Sequence, residues 1–410
     1  MRSPLLFVLA AVSALAFSCN EELNSVNVDH PEADIPAAFA KGGLPLAYNV
    51  TLLPSIGGSQ SAGNGINNSG LIAGTSRPSS NTTTEAALWD GETLIELGTL
   101  GGPNSAVLWP GVNNSGTVVG VSETADMDPL GQRFSCWVFF PSFTGHTCRG
   151  FAWDSGEMMV MPTLGGFNSF AVMVNDRDQV VGWAETDVDD PTCNTAFQTK
   201  QFRGTLWDLR TNQIRELRPL PGDSVSTANV INNRGQIAGI SGACGIAVGG
   251  VSARAMVFWD NGEQIEMDHL GGVNWHTPMA INNRGDVVGF SNPPDVSDGS
   301  FNPHAFFWTG RDGIRDLGTL PGARSSQALG ISERGEVVGL SRDADGNDTA
   351  VIWSDGTEAG IQNLNDLVAG DFSGHLIYAN DVNNRGEITG AALDGVTGDT
   401  LAFRAVPTRR

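Results

Sequence analysis

Hydrophobic and polar positions alternate in short runs along most of this chain, and no run sustains a helical period. Runs of five to eight residues, rich in β-branched and aromatic side chains, are divided by Asn-Asn-x-Gly, Asp-Gly or Asn-Gly. That pattern predicts short antiparallel strands joined by tight turns. One stretch reads as four strands over 277–281, 286–291, 304–308 and 313–320. With 52 glycines and 20 prolines, the chain has little room for long helices.

The four-run unit recurs. The phrase Ile/Val-Asn-Asn-x-Gly stands at 66–70, 112–116, 231–235, 281–285 and 382–386, with degenerate copies at 174–178 and 331–335. Its first Asn, or the equivalent residue, falls at 67, 113, 175, 232, 282, 332 and 383, a mean period near 53. The third run of each unit ends in Trp89, Trp153, Trp207, Trp259, Trp308 or Trp353, with Arg404 in the last copy. A lone four-stranded sheet leaves both faces bare, and stacking such sheets around an axis covers them. The expected fold is therefore all-β, a seven-bladed β-propeller of four-stranded antiparallel blades. The repeats open on an unaccompanied fourth run (48–56) and end on a third run (401–406). Together these two fragments are expected to make one blade and close the ring with an N-terminal strand.

An apolar run over 5–17 follows Arg2, which predicts a signal peptide over 1–18. Leu15-Ala16-Phe17-Ser18-Cys19 resembles a bacterial lipobox, which implies lipidation at Cys19. The expected organisation is a lipid-anchored tether over 19–46 and a propeller over 47–410. Cleavage after Ala16, giving plain secretion, is the alternative. Of five cysteines, Cys136, Cys148, Cys193 and Cys244 then remain, an even number suited to disulfides in an oxidising compartment. Cys136 and Cys148 share one loop, whereas Cys193 and Cys244 belong to neighbouring units; three pairings stay open on spacing alone.

The repeat is similar to the bacterial extracellular HAF family, named for His-Ala-Phe. The tripeptide stands at His304-Ala305-Phe306, beside Asp316-Leu317-Gly318-Thr319-Leu320 and Glu96-Leu97-Gly98-Thr99-Leu100. The resemblance covers about 48–406 and implies export and a repeated β unit, with no settled activity.

A net charge of −22, from 45 acidic and 23 basic residues, excludes nucleic acid as a partner. Membrane contact is expected through the lipid alone, and the chain is expected to be a monomer. The loops between second and third runs vary most, so binding is expected there. The primary expectation is an exported, non-catalytic scaffold that presents an acidic loop face to an extracellular carbohydrate or protein. Two acidic loops, 123–129 and 185–191, are candidates for gathering calcium, the one cofactor considered. Asp343, Asp345 and Asn347 form a second candidate calcium set, since oxygen ligands alternate around Gly346. The twelfth-position glutamate of an EF-hand is absent; Ser354 stands there. The alternatives are a cation-assisted polysaccharide lyase or hydrolase and a structural spacer. For an enzyme the candidate catalytic residues are His269, His276 and His375, with Tyr378 as proton carrier.

Overall fold

The computed structural model describes residues 47–133, 136, 139–244, 255–353 and 360–408. The signal segment, Cys19 and the tether lie outside the described residues.

The described chain is built of largely antiparallel sheets, five of them each made from one sequence repeat. Five are separate four-stranded sheets, with strands in chain order. The first holds β6 (Gly101–Ala106), β7 (Val118–Met127), β8 (His146–Asp154) and β9 (Glu157–Val160). The second holds β10 (Gly165–Val174), β11 (Gln179–Asp189), β12 (Lys200–Asp208) and β13 (Gln213–Leu217). The third is β14 (Val225–Ile231), β15 (Ile237–Gly242), β16 (Ala255–Asp260) and β17 (Glu263–Met267). The fourth is β18 (Thr277–Ile281), β19 (Val287–Ser291), β20 (His304–Thr309) and β21 (Gly313–Asp316). The fifth is β22 (Ser325–Ile331), β23 (Val337–Arg342), β24 (Asp348–Trp353) and β25 (Ile361–Asn363).

The two ends of the chain meet in an eight-stranded sheet. Here β26 (His375–Val382), β27 (Ile388–Leu393) and β28 (Thr400–Pro407) are followed by β1 (Tyr48–Leu52), which pairs antiparallel with β28 from Tyr48–Pro407 to Leu52–Phe403. A single parallel bridge, Gln60–Thr400, joins β28 to β2 (Gly57–Ile66), β3 (Ile72–Pro78), β4 (Glu85–Asp90) and β5 (Thr93–Gly98).

Two recurring hydrogen-bonded codes tie sheet to sheet. The first uses Asn-Asn. The side chain of Asn67 accepts from Ser69 N, Gly70 N and Leu71 N, which fixes its own turn. Its Nδ2 donates to Asn113 O in the next repeat. Asn113, Asn175 and Asn232 repeat that reach forward to Asn175, Asn232 and Asn282, and Asn383 donates to Asn67 O. The second residue of each turn makes a parallel series of backbone-to-side-chain bonds. It runs from Asn68 to Asn114, Asp176, Asn233, Asn283, Glu333 and Asn384, then from Asn384 N back to Asn68 Oδ1 at 3.0 Å. Arg284 and Arg334 add donors to the carbonyls of the following turns, Glu333 and Asn384.

The second code is a serine early in the first strand. Ser105 accepts from Ala86 N and donates to Gly98 O of the preceding sheet. Ser169, Ser226 and Ser326 make the same pair of bonds. Ser61 accepts from Ala402 N at 2.9 Å, so the serine of β2 engages β28 in the same way. These bonds satisfy buried backbone groups that would otherwise cost free energy on packing sheet against sheet.

Strand bounds follow the sequence closely where turn chemistry is sharp: 277–281 forms as read. They fall short where a run passes into a connection; the run read over 313–320 is strand only to Asp316.

Candidate functional site

Three consecutive second-to-third strand connections are joined into one crown through their described residues, 128–133, 136 and 139–145 in the first, 190–199 in the second and Cys244 in the third. A disulfide links Cys136 to Cys148 (Cα separation 5.4 Å), and another links Cys193 to Cys244 (4.7 Å). Arg133 N donates to Phe197 O, and Gln132 Oε1 accepts from Thr199 N and Lys200 N. Beneath the crown, Phe139, Trp109, Phe170 and Trp183 form an aromatic plug, with Phe170 stacked on Trp183 at 4.3 Å. Val172 of β10, with Met279, Leu329 and Tyr378 from other sheets, belongs to the same central core.

The two acidic loops are organised around buried charge. Glu123 and Glu185 occupy equivalent places in β7 and β11, and both are almost fully buried. Each is met by an asparagine of the preceding Gly-Gly-x-Asn-Ser phrase: Asn104 Nδ2 donates to Glu123 Oε2 (2.8 Å), and Asn168 Nδ2 to Glu185 Oε1 (3.1 Å). Thr144 donates to Glu123 Oε1. Glu185 also receives Phe167 N, Asn168 N, Gln132 and Gln198, while Asn168 reaches Asp128 Oδ2 at 2.8 Å. Burial pushes the Glu185 carboxyl above its ordinary range, and the donors from Gln198 and Asn168 pull it back. The second glycine of the phrase exists for this contact. A Cβ on Gly102 or Gly166 would stand 2.5 or 2.4 Å from the Cβ of Glu123 or Glu185. Amide and backbone donors thus take up these carboxylates.

The crown exposes apolar side chains among polar ones. Met127, Leu130, Phe143 and Val188 are exposed, Met127 by 59%. Met127 and Phe143 approach one another over Gly145, and the Arg133 guanidinium lies 5.0 Å above the Phe143 ring. Asp126, Asp187 and Asp189 are exposed alongside.

Among the catalytic candidates, His269 and His276 come together as stacked rings 4.2 Å apart. His276 is buried, and its Nδ1 pairs with Ser291 Oγ at 2.7 Å. Burial, with His269 adding to it, lowers its pKa to about 4, so the ring is neutral at ordinary pH. Ser291 also accepts from Leu270 N, as Ser76, Ser122, Ser241 and Ser341 accept from Ile56, Leu100, Leu220 and Leu320. His276 therefore fills a repeat packing position beside Trp275, itself held at φ +62°. Tyr378 is buried in the central core, where burial raises its hydroxyl pKa, while His375 is on the surface with Nε2 3.4 Å from Asp348 O. The strand separates these two into different surroundings.

Asp343 holds its own hairpin: Oδ1 accepts from Asp345 N and Asn347 N, and Oδ2 from Asn347 Nδ2. Those bonds, Asn347 first, lower its pKa. The Asp343 carboxylate thus builds an Asx-type turn over Asp345 and Asn347, flanked by the Arg342–Asp348 ion pair.

Sequence reading missed the buried state of Glu123 and Glu185. The signal was present in the shared Gly-Gly-x-Asn-Ser phrase, which repeats before these two glutamates.

No family model matches the chain, and no curated protein matches it. Similar solved structures include an acylaminoacyl peptidase in complex with Z-Gly-Gly-Phe-chloromethyl ketone (TM-score 0.44, 12% identity, covering 75% of this chain and 45% of that one). This chain spans about half the length of that peptidase. YCF48 bound to D1 peptide is similar over 92% of this chain and all of that one (TM-score 0.47, 10% identity). Oligogalacturonate lyase from Vibrio parahaemolyticus is similar over 88% and 97% (TM-score 0.44, 10% identity). The likeness is one of fold, and these structures are of the β-propeller class.

Proposed function

We propose that this chain is an exported, lipid-anchored propeller of seven blades that uses its crown as a binding scaffold for an extracellular protein. The seven-membered turn circuit and the Ser61–Ala402 clip support the blade count and the closure. Export is supported by the two disulfides, and anchoring by the lipobox resemblance around Cys19. The HAF-like repeat agrees with export.

One observation carries the binding role. Three loops are tied by disulfides, a buried amide–carboxylate network and an aromatic plug, yet they leave Met127, Leu130, Phe143 and Val188 exposed. Ordering loops costs conformational entropy, and the ordered product presents apolar side chains to water. A rigid platform with an apolar centre and the charged Arg133, Asp126 and Asp187 near it fits a protein surface better than a sugar.

The test places a photo-crosslinking amino acid at Phe143 and, as a control, at the remote exposed Val396. The protein should be displayed on cells of the producing bacterium. Protein adducts at 143 that disappear with Met127→Asp, and none at 396, are expected. Equal adducts at both positions, or adducts unaffected by Met127→Asp, would overturn the assignment. Saccharide binding to the purified protein that Met127→Asp abolishes would turn the reading toward carbohydrate.

A further inference from the structure

The geometry points to a latent zinc site made by Asp190, Cys193 and Cys244, which opens when the Cys193–Cys244 disulfide is reduced.

The donor atoms of these three residues lie within 4.8 Å of one another, the one group of three or more His, Cys, Asp or Glu so placed among the described residues. Asp190 is 4% exposed. Its Oδ1 is occupied, accepting from Thr192 N (2.8 Å) and Thr192 Oγ1 (2.7 Å). Its Oδ2 is buried and receives no hydrogen bond. A buried carboxylate oxygen without a donor is costly, and a cation relieves it directly. The charged group acting nearby is the Arg203 guanidinium, whose Nε pairs with Glu216 instead.

The three residues are held together by more than the S–S bond. Cys193 N donates to Asp190 O (3.0 Å), and Cys244 N donates to Thr192 Oγ1 (3.0 Å). Asp190, Thr192 and both cysteines therefore share one hydrogen-bonded knot that survives breaking of the disulfide. Tetrahedral zinc needs sulfurs at about 2.3 Å and a carboxylate oxygen at about 2.0–2.2 Å, so its two sulfurs stand about 3.8 Å apart. Rotation of the freed cysteine side chains supplies that separation. Two thiolates select zinc over a hard cation such as calcium. Three protein ligands leave a fourth position for water.

Cys193 is partly exposed, so a dithiol reductant can reach it. The reductant gives two electrons and two protons to the disulfide and becomes a disulfide itself, leaving two thiols. Zinc then displaces the two thiol protons, which leave to solvent.

The test titrates the purified chain with zinc against a chromophoric chelator, before and after phosphine reduction with the reductant removed. One zinc per chain is expected after reduction and none before. Asp190→Asn, which keeps both cysteines, should weaken binding at least ten-fold. The Cys136→Ser/Cys148→Ser variant should bind as the parent does. Equal binding by the oxidised chain, or undiminished binding by Asp190→Asn, would overturn the proposal. So would reduced chain in denaturant binding as tightly as reduced folded chain, since the cysteines alone would then suffice.

Discussion

The two ends of the sheets differ in how they are built. At the Asn-Asn turns, every repeat makes nearly the same bonds, and the circuit of second-position residues returns to its start. At the crown, three neighbouring connections share bonds that, among the described residues, no other repeat makes: two disulfides, the Asn168–Asp128–Glu185 network and the plug of Trp109, Phe139, Phe170 and Trp183. The regular end distributes its energy in small equal parts around the molecule. The crown concentrates it in a few large side chains. A lesion at the turns should thus be modest wherever it is placed, whereas a lesion in the crown should depend sharply on the residue.

The largest contrast should come from Phe170→Ala. Removing a fully buried ring stacked on Trp183 should cost about 3–5 kcal/mol, read as a lowered denaturant midpoint. Asn67→Ala comes next. It strips a turn of its acceptor and the neighbouring turn of a donor, at about 2 kcal/mol. Asn383→Ala, at the meeting of the chain ends, should cost the same amount if the turns are equivalent. A clearly larger loss there would show that the seam bears more than its share.

A smaller effect is pH-dependent and belongs to the fourth separate sheet. The folded-state pKa of His276 is lowered to about 4, below the ordinary value of 6.5. Such a group lends stability that is fully present above pH 6.5 and lost as pH falls toward 4, because the unfolded chain takes up the proton first. Asp381 acts in the opposite sense. Burial raises its pKa to about 7, with Ile66 N and Val382 N bonded to it, so its contribution is lost as pH rises from about 4 through 7. Melting temperature against pH should lose its acid limb in part with His276→Gln, and its decline between about pH 4 and 7 in part with Asp381→Asn. The smallest effect is that of Met127→Ser, which should change stability by less than about 0.5 kcal/mol while reducing partner capture.

Much of the regular end was legible in the sequence, because its determinants are local. Asn67 fixes a turn three or four residues away, and its partner Asn113 occupies the same place in the next copy. The strand runs and the complementary chain ends follow from the same repetition. The crown was legible only in outline. Its cysteines marked the right loops, but Glu123 and Glu185 look like solvent-facing charge in a linear reading. Their burial depends on Asn104, Asn168, Gln132 and Gln198, which are 13 to 53 residues away. His276 misleads for the same reason: its serine partner is a packing residue that recurs in five repeats, and only the three-dimensional register reveals that role. Asp343 shows the converse: within a metal-like spacing, its own carboxylate accepts the hydrogen bonds of the hairpin.

The account rests most heavily on the chain ends completing one blade and shutting the ring. Backbone hydrogen exchange of the intact protein, resolved by peptide, tests this directly. The amides of β1 and β28 should exchange as slowly as those of β10 and β11, because both pairs are antiparallel ladders of the same kind. Exchange of 48–52 at the rate of unpaired chain, with β10 and β11 still protected, would contradict it.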